Sequence, residues 1–422
     1  MTCYHSHIPK KAVCIPGSEP VDISDYEPLI DHPLCQRMRR HKQLGINHLV
    51  FPGAVHSRFE HALGVLGLTE KLARLYGMDE NRRKLLGAFA ILHDIGHGPF
   101  SHQIEPIAGG SHKTKGLDYI KRMAPTIEAC GLKAEDIMDM FSEKNRLAIF
   151  VNDRNLGMDK LDYLRRDALH IGFAGVPDIE TVLRYSALKD GQWTVEEKFI
   201  EDLKRIQKFY SYLHQHGYLN KTALSVQRIF QRAVQEEIEF GTVTKEELWE
   251  MTDEELEYLI YRSENELTRE LCQVLENRSF HRTAYVIRPQ GYGFVERTSG
   301  KQIAVKEWTM SKIADFSNSF SNCESLRKME NELADFLALN AGDILFAAMP
   351  YFDKLLPRDI RIFSASGGKE YMLFENDTTH YQSLLADYLR TFAIRIIVPP
   401  AKRSYVADKI DRVETFLAAR LT

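Results

Sequence analysis

Three stretches of the chain concentrate groups that could do chemistry: His56-Ser-Arg-Phe-Glu-His61, Leu92-His-Asp-Ile-Gly-His-Gly-Pro-Phe-Ser-His102 and Asn155-Leu-Gly-Met-Asp-Lys-Leu-Asp-Tyr-Leu-Arg-Arg-Asp167. Beyond the first, Val65, Leu68, Leu72 and Leu75 recur at helical spacing, and His61 lies four residues before Val65 on the same stripe. His61 therefore turns inward. Leu86, Phe89 or Ala90, and His93 share a second helical face, which Gly96, Gly98 and Pro99 bring to an end, so His93 and Asp94 fall at a buried helix end. The third stretch has two faces, Leu161, Leu164, Ala168 and Ile171 against Asp159, Tyr163 and Asp167, and Asp159 stands at the helix mouth, where a cation could be held.

Each feature has a plain structural explanation. An inward histidine is most often a hydrogen-bonded core residue, a His-Asp pair can be a helix-end charge pair, and a polar stripe is usually a solvated face. Jointly, two imidazoles and two carboxylates make a mixed nitrogen and oxygen donor set suited to Mn²⁺, Fe²⁺, Mg²⁺ or Zn²⁺. The six cysteines are scattered with no C-x-x-C spacing, which excludes a thiolate metal site and a disulfide framework. Metal-assisted hydrolysis is the leading chemistry.

The elements that must position these groups are mostly helical. From about Leu29 to Phe240 the hydrophobic spacing is that of helices, and this half reads as all-α. Short strands are expected at 284–288, 293–297, 303–306, 359–363, 370–374 and 394–398, with helices around Ser383–Arg390 and Val406–Leu421. Thr244 and Thr252 read as helix caps. The expected fold is a mainly α core with a smaller C-terminal α+β unit, divided as an N-terminal segment 1–30, a catalytic domain 31–240 and a C-terminal region 241–422 for oligomerisation or regulation. The 422 residues carry 55 Lys and Arg against 59 Asp and Glu, a net charge of −4. That balance gives no global attraction for nucleic acid or an anionic membrane. With no long apolar run and no apolar leader, the expectation is a cytoplasmic protein.

The order His61, His93-Asp94, Asp159 resembles the H…HD…D signature of HD-domain metal-dependent phosphohydrolases. The longer strings Arg40-His-Lys-Gln-Leu-Gly45, Val50-Phe-Pro-Gly-Ala54, Ser57–His61, His93–His102 and Met158-Asp-Lys-Leu-Asp-Tyr163 resemble the deoxynucleoside triphosphate triphosphohydrolase branch, over roughly residues 20 to 240. The resemblance is to the branch whose vertebrate member joins a sterile-alpha-motif to an HD domain, but here only about 30 residues precede the core and no such motif is expected.

The resemblance implies that His61, His93, Asp94 and Asp159 hold a divalent metal of unspecified identity. It implies that Arg58, Lys160 and Lys221 contact the triphosphate, that Gln43 and Asp167 bond the sugar 3′-hydroxyl, and that Tyr163 packs where a ribose 2′-hydroxyl would go. His97, His102, Glu105 and His112 form the implied catalytic group, with His102 as general acid on the leaving 5′-oxygen. Two departures from the family pattern are Lys113 after His112 and Asn220 in Tyr218-Leu-Asn-Lys221, where His is usual. The implied reaction is metal-dependent hydrolysis of a dNTP to deoxynucleoside and triphosphate by a homo-oligomer (dimer, tetramer or hexamer), under the control of a regulatory nucleotide. Two other readings use the same residues: HD chemistry on a nucleoside monophosphate, cyclic nucleotide or alarmone, against which Gln43, Tyr163 and Asp167 argue; and a nucleotide-sensing module with little turnover, against which the complete metal set argues.

Overall fold

The computed structural model describes residues 11–298, 301–348, 356–365 and 367–420. Short polar side chains open the helices that frame the site. The Ser57 hydroxyl accepts from the Glu60 N–H at the start of α1 (Arg58–Leu75), and the Asp79 carboxylate accepts from the Arg82 N–H at the start of α2 (Glu80–Leu92). Ser111 caps α3 (His112–Arg122) in the same way. The next framing helix, α4 (Met158–Ile171), stops at Gly172, whose φ of +81° is the left-handed conformation that a side chain would oppose. Then α5 (Ile200–Leu213) runs into a π-helical turn, His214–Tyr218, and α6 (Lys221–Phe240) follows.

These helices bury one continuous core in which Leu63, Leu66, Phe89, Leu92, Met158, Leu161 and Leu164 meet. Helices α1 and α4 approach closely because residue 64 is glycine. A Cβ there would lie 2.1 Å from both Arg166 Nη2 and Asp162 Oδ1.

The chain is mainly α with a smaller sheet-containing C-terminal region. Its eleven described strands form three sheets. Ala12–Val13 (β1) and Val21–Asp22 (β2) pair with each other. Ser186–Lys189 (β3) and Gln192–Glu196 (β4) form a hairpin inside the half expected to be all-α. The overlooked signal is Asp190-Gly191, a two-residue turn with φ of +52° and +73°, the conformation that joins twisted antiparallel strands.

In the second half lie Arg282–Pro289 (β5), Glu296–Thr298 (β6), Lys301–Trp308 (β7), Leu345–Ala348 (β8), Arg361–Phe363 (β9), Glu370–Met372 (β10) and Ile394–Val398 (β11). Five of them make a sheet in the order β6-β7-β5-β11-β8, while β9 and β10 add to the earlier hairpin in the order β10-β9-β4-β3. Through that crossing Ile360, Ile362 and Leu373 join the helical core. No helix among the described residues is long and apolar enough to cross a membrane.

Both expected threonine caps are present as capping boxes, and the second opens α7 (Asp253–Tyr261). Its first residue, Asp253, reaches back to the N-terminal half. One carboxylate oxygen accepts from the Lys42 N–H at 2.8 Å and the other from the Phe100 N–H at 2.7 Å. It thus ties together the loops that carry Gln43 and His102.

Burial pushes the Asp253 carboxyl up to about 6, against the pull of those two N–H groups and of Lys42. The unfolded value is near 3.9, so between these pH values the folded chain holds a proton that the unfolded chain has lost. This contribution is fully present below about pH 4 and is lost as pH rises through 6. Urea unfolding of native and Asp253→Asn protein at pH 4 and pH 7 should show the stability difference moving by about 2 kcal/mol in the variant's favour at the higher pH. A difference independent of pH contradicts the assignment.

Candidate active site

Three helix ends aim their polar groups at one point. His61 comes from near the start of α1, His93 from the C-cap of α2 with Asp94 next to it, and Asp159 from the first turn of α4. His61 Nε2 lies 3.2 Å from Asp159 Oδ1 and 3.9 Å from Asp94 Oδ2. His93 Nε2 lies 3.6 Å from Asp94 Oδ1 and 3.7 Å from Asp159 Oδ1.

The outward nitrogens are fixed from behind. Asp162 bonds His61 Nδ1 at 2.8 Å, and the Ala90 carbonyl accepts from His93 Nδ1 at the same distance. Both imidazoles therefore present Nε2 to the centre, the arrangement that outer partners impose on metal-ligating histidines. His93 Nε2 is buried with no hydrogen-bond partner, and ligand atoms of His61, His93 and Asp94 all lie within 4.8 Å of one another. A divalent cation fits this donor set.

The charges agree. Burial opposes a charge on His61, but Asp159 and Asp162 outweigh it and raise its pKa to about 10. Asp94 is held well below the usual carboxylate range, despite burial, by His93, Arg58 and His97, and Asp159 is held low by His61 and His93. A metal would take over the positive charge that these imidazoles supply.

A second group adjoins the first. His97 Nε2 stands 3.4 Å from Asp94 Oδ1, and its ring stacks on His112 at 4.1 Å. Glu105 Oε1 is shared by His102 Nδ1 and His112 Nδ1, each at 2.9 Å, with His97 Nδ1 at 3.5 Å. Burial raises the Glu105 pKa, but the two bonded histidines outweigh it and hold the carboxyl far below its usual range. The His102 side chain is 57% exposed, so a ligand can reach it.

The loop that carries His102 is strained. Phe100 and Ser101 stand consecutively at φ of +53° and +59°, a conformation that costs an L-residue roughly 1–2 kcal/mol. It is held by Asp253 on the Phe100 N–H, by Arg58 Nε on Ser101 Oγ at 2.7 Å, and by Ser101 Oγ donating to the Lys42 carbonyl at 3.1 Å.

The remaining expected residues fall into two sets. Asp167 accepts from His56 Nε2 at 2.8 Å and from the Tyr218 hydroxyl, one turn beyond the half-buried Tyr163 on α4. Gln43 Oε1 is buried and unpartnered. Arg58 is buried and bonds Asp94 as well as Ser101. Lys160 is buried too, with Nζ donating to the Arg154 carbonyl at 2.7 Å and lying 3.6 Å from the centre of the Tyr210 ring. The exposed Lys221 donates through Nζ to the Arg297 carbonyl at 3.3 Å, and the preceding Asn220 spends its side chain capping α6.

Sequence reasoning missed Asp162, His56, Ser101 and Asp253. Only Asp162 carried a signal, being three residues after Asp159 and so one helical turn along. Replacing Asp162 by Asn should lower Mn²⁺ affinity by about 10- to 100-fold, measured by calorimetric titration of variant protein whose circular dichroism matches the parent. An unchanged affinity would show that the His61 orientation does not depend on this carboxylate.

Comparison with known proteins agrees with this geometry. Residues 58–151 match the HD domain family, a span that includes His61, His93 and Asp94. An uncharacterized protein of Methanocaldococcus jannaschii is 32% identical over 57% of this chain and 52% of its own length. A deoxynucleoside triphosphate triphosphohydrolase SAMHD1 homolog of Dictyostelium discoideum is 30% identical over 62% of this chain and 57% of its own. The match thus spans about half the length of these curated relatives. A crystal structure of a phosphohydrolase from Bacteroides thetaiotaomicron shares the fold, with a TM-score of 0.69 at 19% identity over 92% of this chain and all of that one. A hypothetical protein from Aquifex aeolicus does likewise, at 0.68 and 20% over 95% and 99%. Residues 58–151 of the chain therefore form an HD domain.

Proposed function

We propose that the protein hydrolyses deoxynucleoside triphosphates to deoxynucleoside and intact triphosphate. The observation that carries this reading is the carboxylate shared by the two clusters: Asp94 Oδ1 lies 3.6 Å from His93 Nε2 and 3.4 Å from His97 Nε2, and Asp94 Oδ2 lies 3.9 Å from His61 Nε2. A metal-ligand set and a proton-transfer set thus meet at one carboxylate. His61, His93, Asp94 and Asp159 would hold a divalent ion, which would supply Lewis acidity toward a phosphoryl oxygen and lower the pKa of water.

The chain's own residues supply the rest. Glu105 holds His102 through Nδ1, which leaves Nε2 free to deliver a proton to the departing 5′-oxygen. His112, bonded to the same carboxylate oxygen, fixes that carboxylate in place. Arg58, bonded to Asp94, suits the triphosphate as a guanidinium, and Lys160, next to Asp159 in sequence and lowered to about 7 by burial, takes a full charge when phosphate oxygens approach it.

Sugar selection follows from Gln43, Asp167 and Tyr163. The unpartnered Gln43 oxygen accepts from a 3′-hydroxyl, Asp167 is oriented by His56 and Tyr218, and the Tyr163 ring leaves a 2′-hydroxyl nothing to bond. The relatives named as deoxynucleoside triphosphate triphosphohydrolases support this substrate class. The same reading includes a homo-oligomer with a regulatory nucleotide. Light scattering, and initial rates with and without a second dNTP, test that part: a monomer whose rate never responds to a second nucleotide contradicts it.

Incubation with each dNTP and NTP in Mg²⁺ or Mn²⁺, with products separated by anion exchange, should yield deoxynucleoside and tripolyphosphate. Orthophosphate or pyrophosphate as the first product overturns the reading. A buried unpaired hydroxyl costs about 1–3 kcal/mol, so kcat/KM should favour dATP over ATP by about 5- to 150-fold. His102→Ala should lower kcat by about 10²- to 10⁴-fold with little change in KM.

A further inference from the structure

The five-stranded sheet buries two arginines, Arg288 and Arg395, beside one buried carboxylate, Glu296. Arg395 on β11 lies opposite Val286 on β5, and Arg288, two residues further along β5, shares that face diagonally. Arg288 is fully engaged: Nε bonds Glu296 Oε1 at 2.5 Å, Nη2 bonds the same oxygen, and Nη1 donates to the carbonyls of Arg390 and Phe392 at 2.8 and 2.7 Å. Arg395 is not. Its Nη2 is 4.0 Å from that same Glu296 oxygen, while Nε and Nη1 are buried with no hydrogen-bond partner among the described residues. The residue is only 5% exposed.

A buried guanidinium with unsatisfied donors is costly, and buried charges are normally paired. The surroundings make the deficit plain: burial, together with the repulsion of Arg288, pushes the Arg395 pKa down to about 10. The other carboxylate on this face, Glu307 opposite Arg288 on β7, accepts from the Gly291 and Gly293 N–H groups.

A short loop covers this pair. Residues 290–295 join β5 to β6, and Gly291 and Gly293 in this loop adopt φ of +85° and +61°. Their N–H groups donate to the Glu307 carboxylate, and the Tyr292 ring lies 4.3 Å over the Arg288 guanidinium. At the tip Phe294 and Val295 are 54% and 63% exposed, with the Arg390 guanidinium 5.3 Å from the Phe294 ring.

We propose that Arg395, with Arg288 beside it, binds a phosphoryl anion beneath the 290–295 loop, at a site separate from the candidate active site. Guanidinium forks match tetrahedral phosphoryl oxygens in pairs, and the unsatisfied Arg395 donors select an anion over a neutral ligand. The ligand is inorganic phosphate or the phosphoryl end of a larger molecule, and Phe294 gives the larger molecule an exposed aromatic ring to lie against.

Hydrogen exchange with mass spectrometry reads this site apart from the active site. On the full chain, millimolar phosphate at constant ionic strength should slow exchange in peptides covering 288–298 and 388–396 relative to chloride. Arg395→Met should require at least about tenfold more phosphate for the same protection. Tripolyphosphate or a dNTP protecting at lower concentration than phosphate identifies a larger ligand, and equal potency identifies free phosphate. Equal exchange in phosphate and chloride, or protection that survives Arg395→Met, overturns the proposal. Glu296→Gln provides a second arm that holds if the methionine variant does not fold. Removing the competing carboxylate should lower the phosphate needed several-fold, and an unchanged or raised requirement contradicts the site.

Discussion

The site depends on one buried carboxylate between two helices. Asp162 on α4 bonds His61 of α1 through one oxygen and is gripped by Arg166 Nε and Nη2 at 2.9 Å each. The helices come close enough for this only because Gly64 leaves room for the Arg166 and Asp162 side chains. Arg166 is anchored in turn by Glu60 at 2.8 Å. Buried ion pairs of this kind contribute little net stability, because desolvation offsets the attraction. What this one does is orientation: it decides which nitrogen of His61 faces the centre.

From that centre outward the structure works as a series of constraints on loops. Asp94 sits where the α2 helix ends, so its carboxylate meets both the ligand set and His97 without being part of a helix. The left-handed pair Phe100-Ser101 then turns the chain so that His102 faces Glu105. Such strain persists only where the surroundings over-determine it, and here Asp253, Arg58 and Lys42 do so from three sides. Arg37 adds a further tie, donating to the carbonyls of His97 and of Trp249 and Met251. The region after residue 240 therefore holds the loop that carries His102 in shape while contributing none of the expected site residues.

Much of this was legible in the residues. Helical periodicity made His61 inward and put His93 and Asp94 at a helix end, because both depend on local spacing around the histidine. Strand Ile394–Val398 was legible for the same reason, as a β-branched run between turns. What escaped was non-local or masked by composition. The Asp190-Gly191 hairpin lies inside a long helical stretch, and its partner strand β9 is more than 160 residues away. Asp162 looks like an ordinary helix carboxylate until Arg166 and His61 are seen on either side of it. Asp253 looks like a first-turn acid of α7, and its reach to Lys42 and Phe100 is a tertiary fact.

The central claim is that the carboxylate and imidazole cluster between α1, α2 and α4 is a binding site for one divalent ion. Equilibrium dialysis against Mn²⁺, with bound metal counted by plasma mass spectrometry, tests it most directly. The native chain should retain one ion per protomer, and a His93→Ala, Asp94→Ala double variant should retain none under the same free concentration. A native chain that holds no ion, or a double variant that holds as much as the native chain, would contradict it.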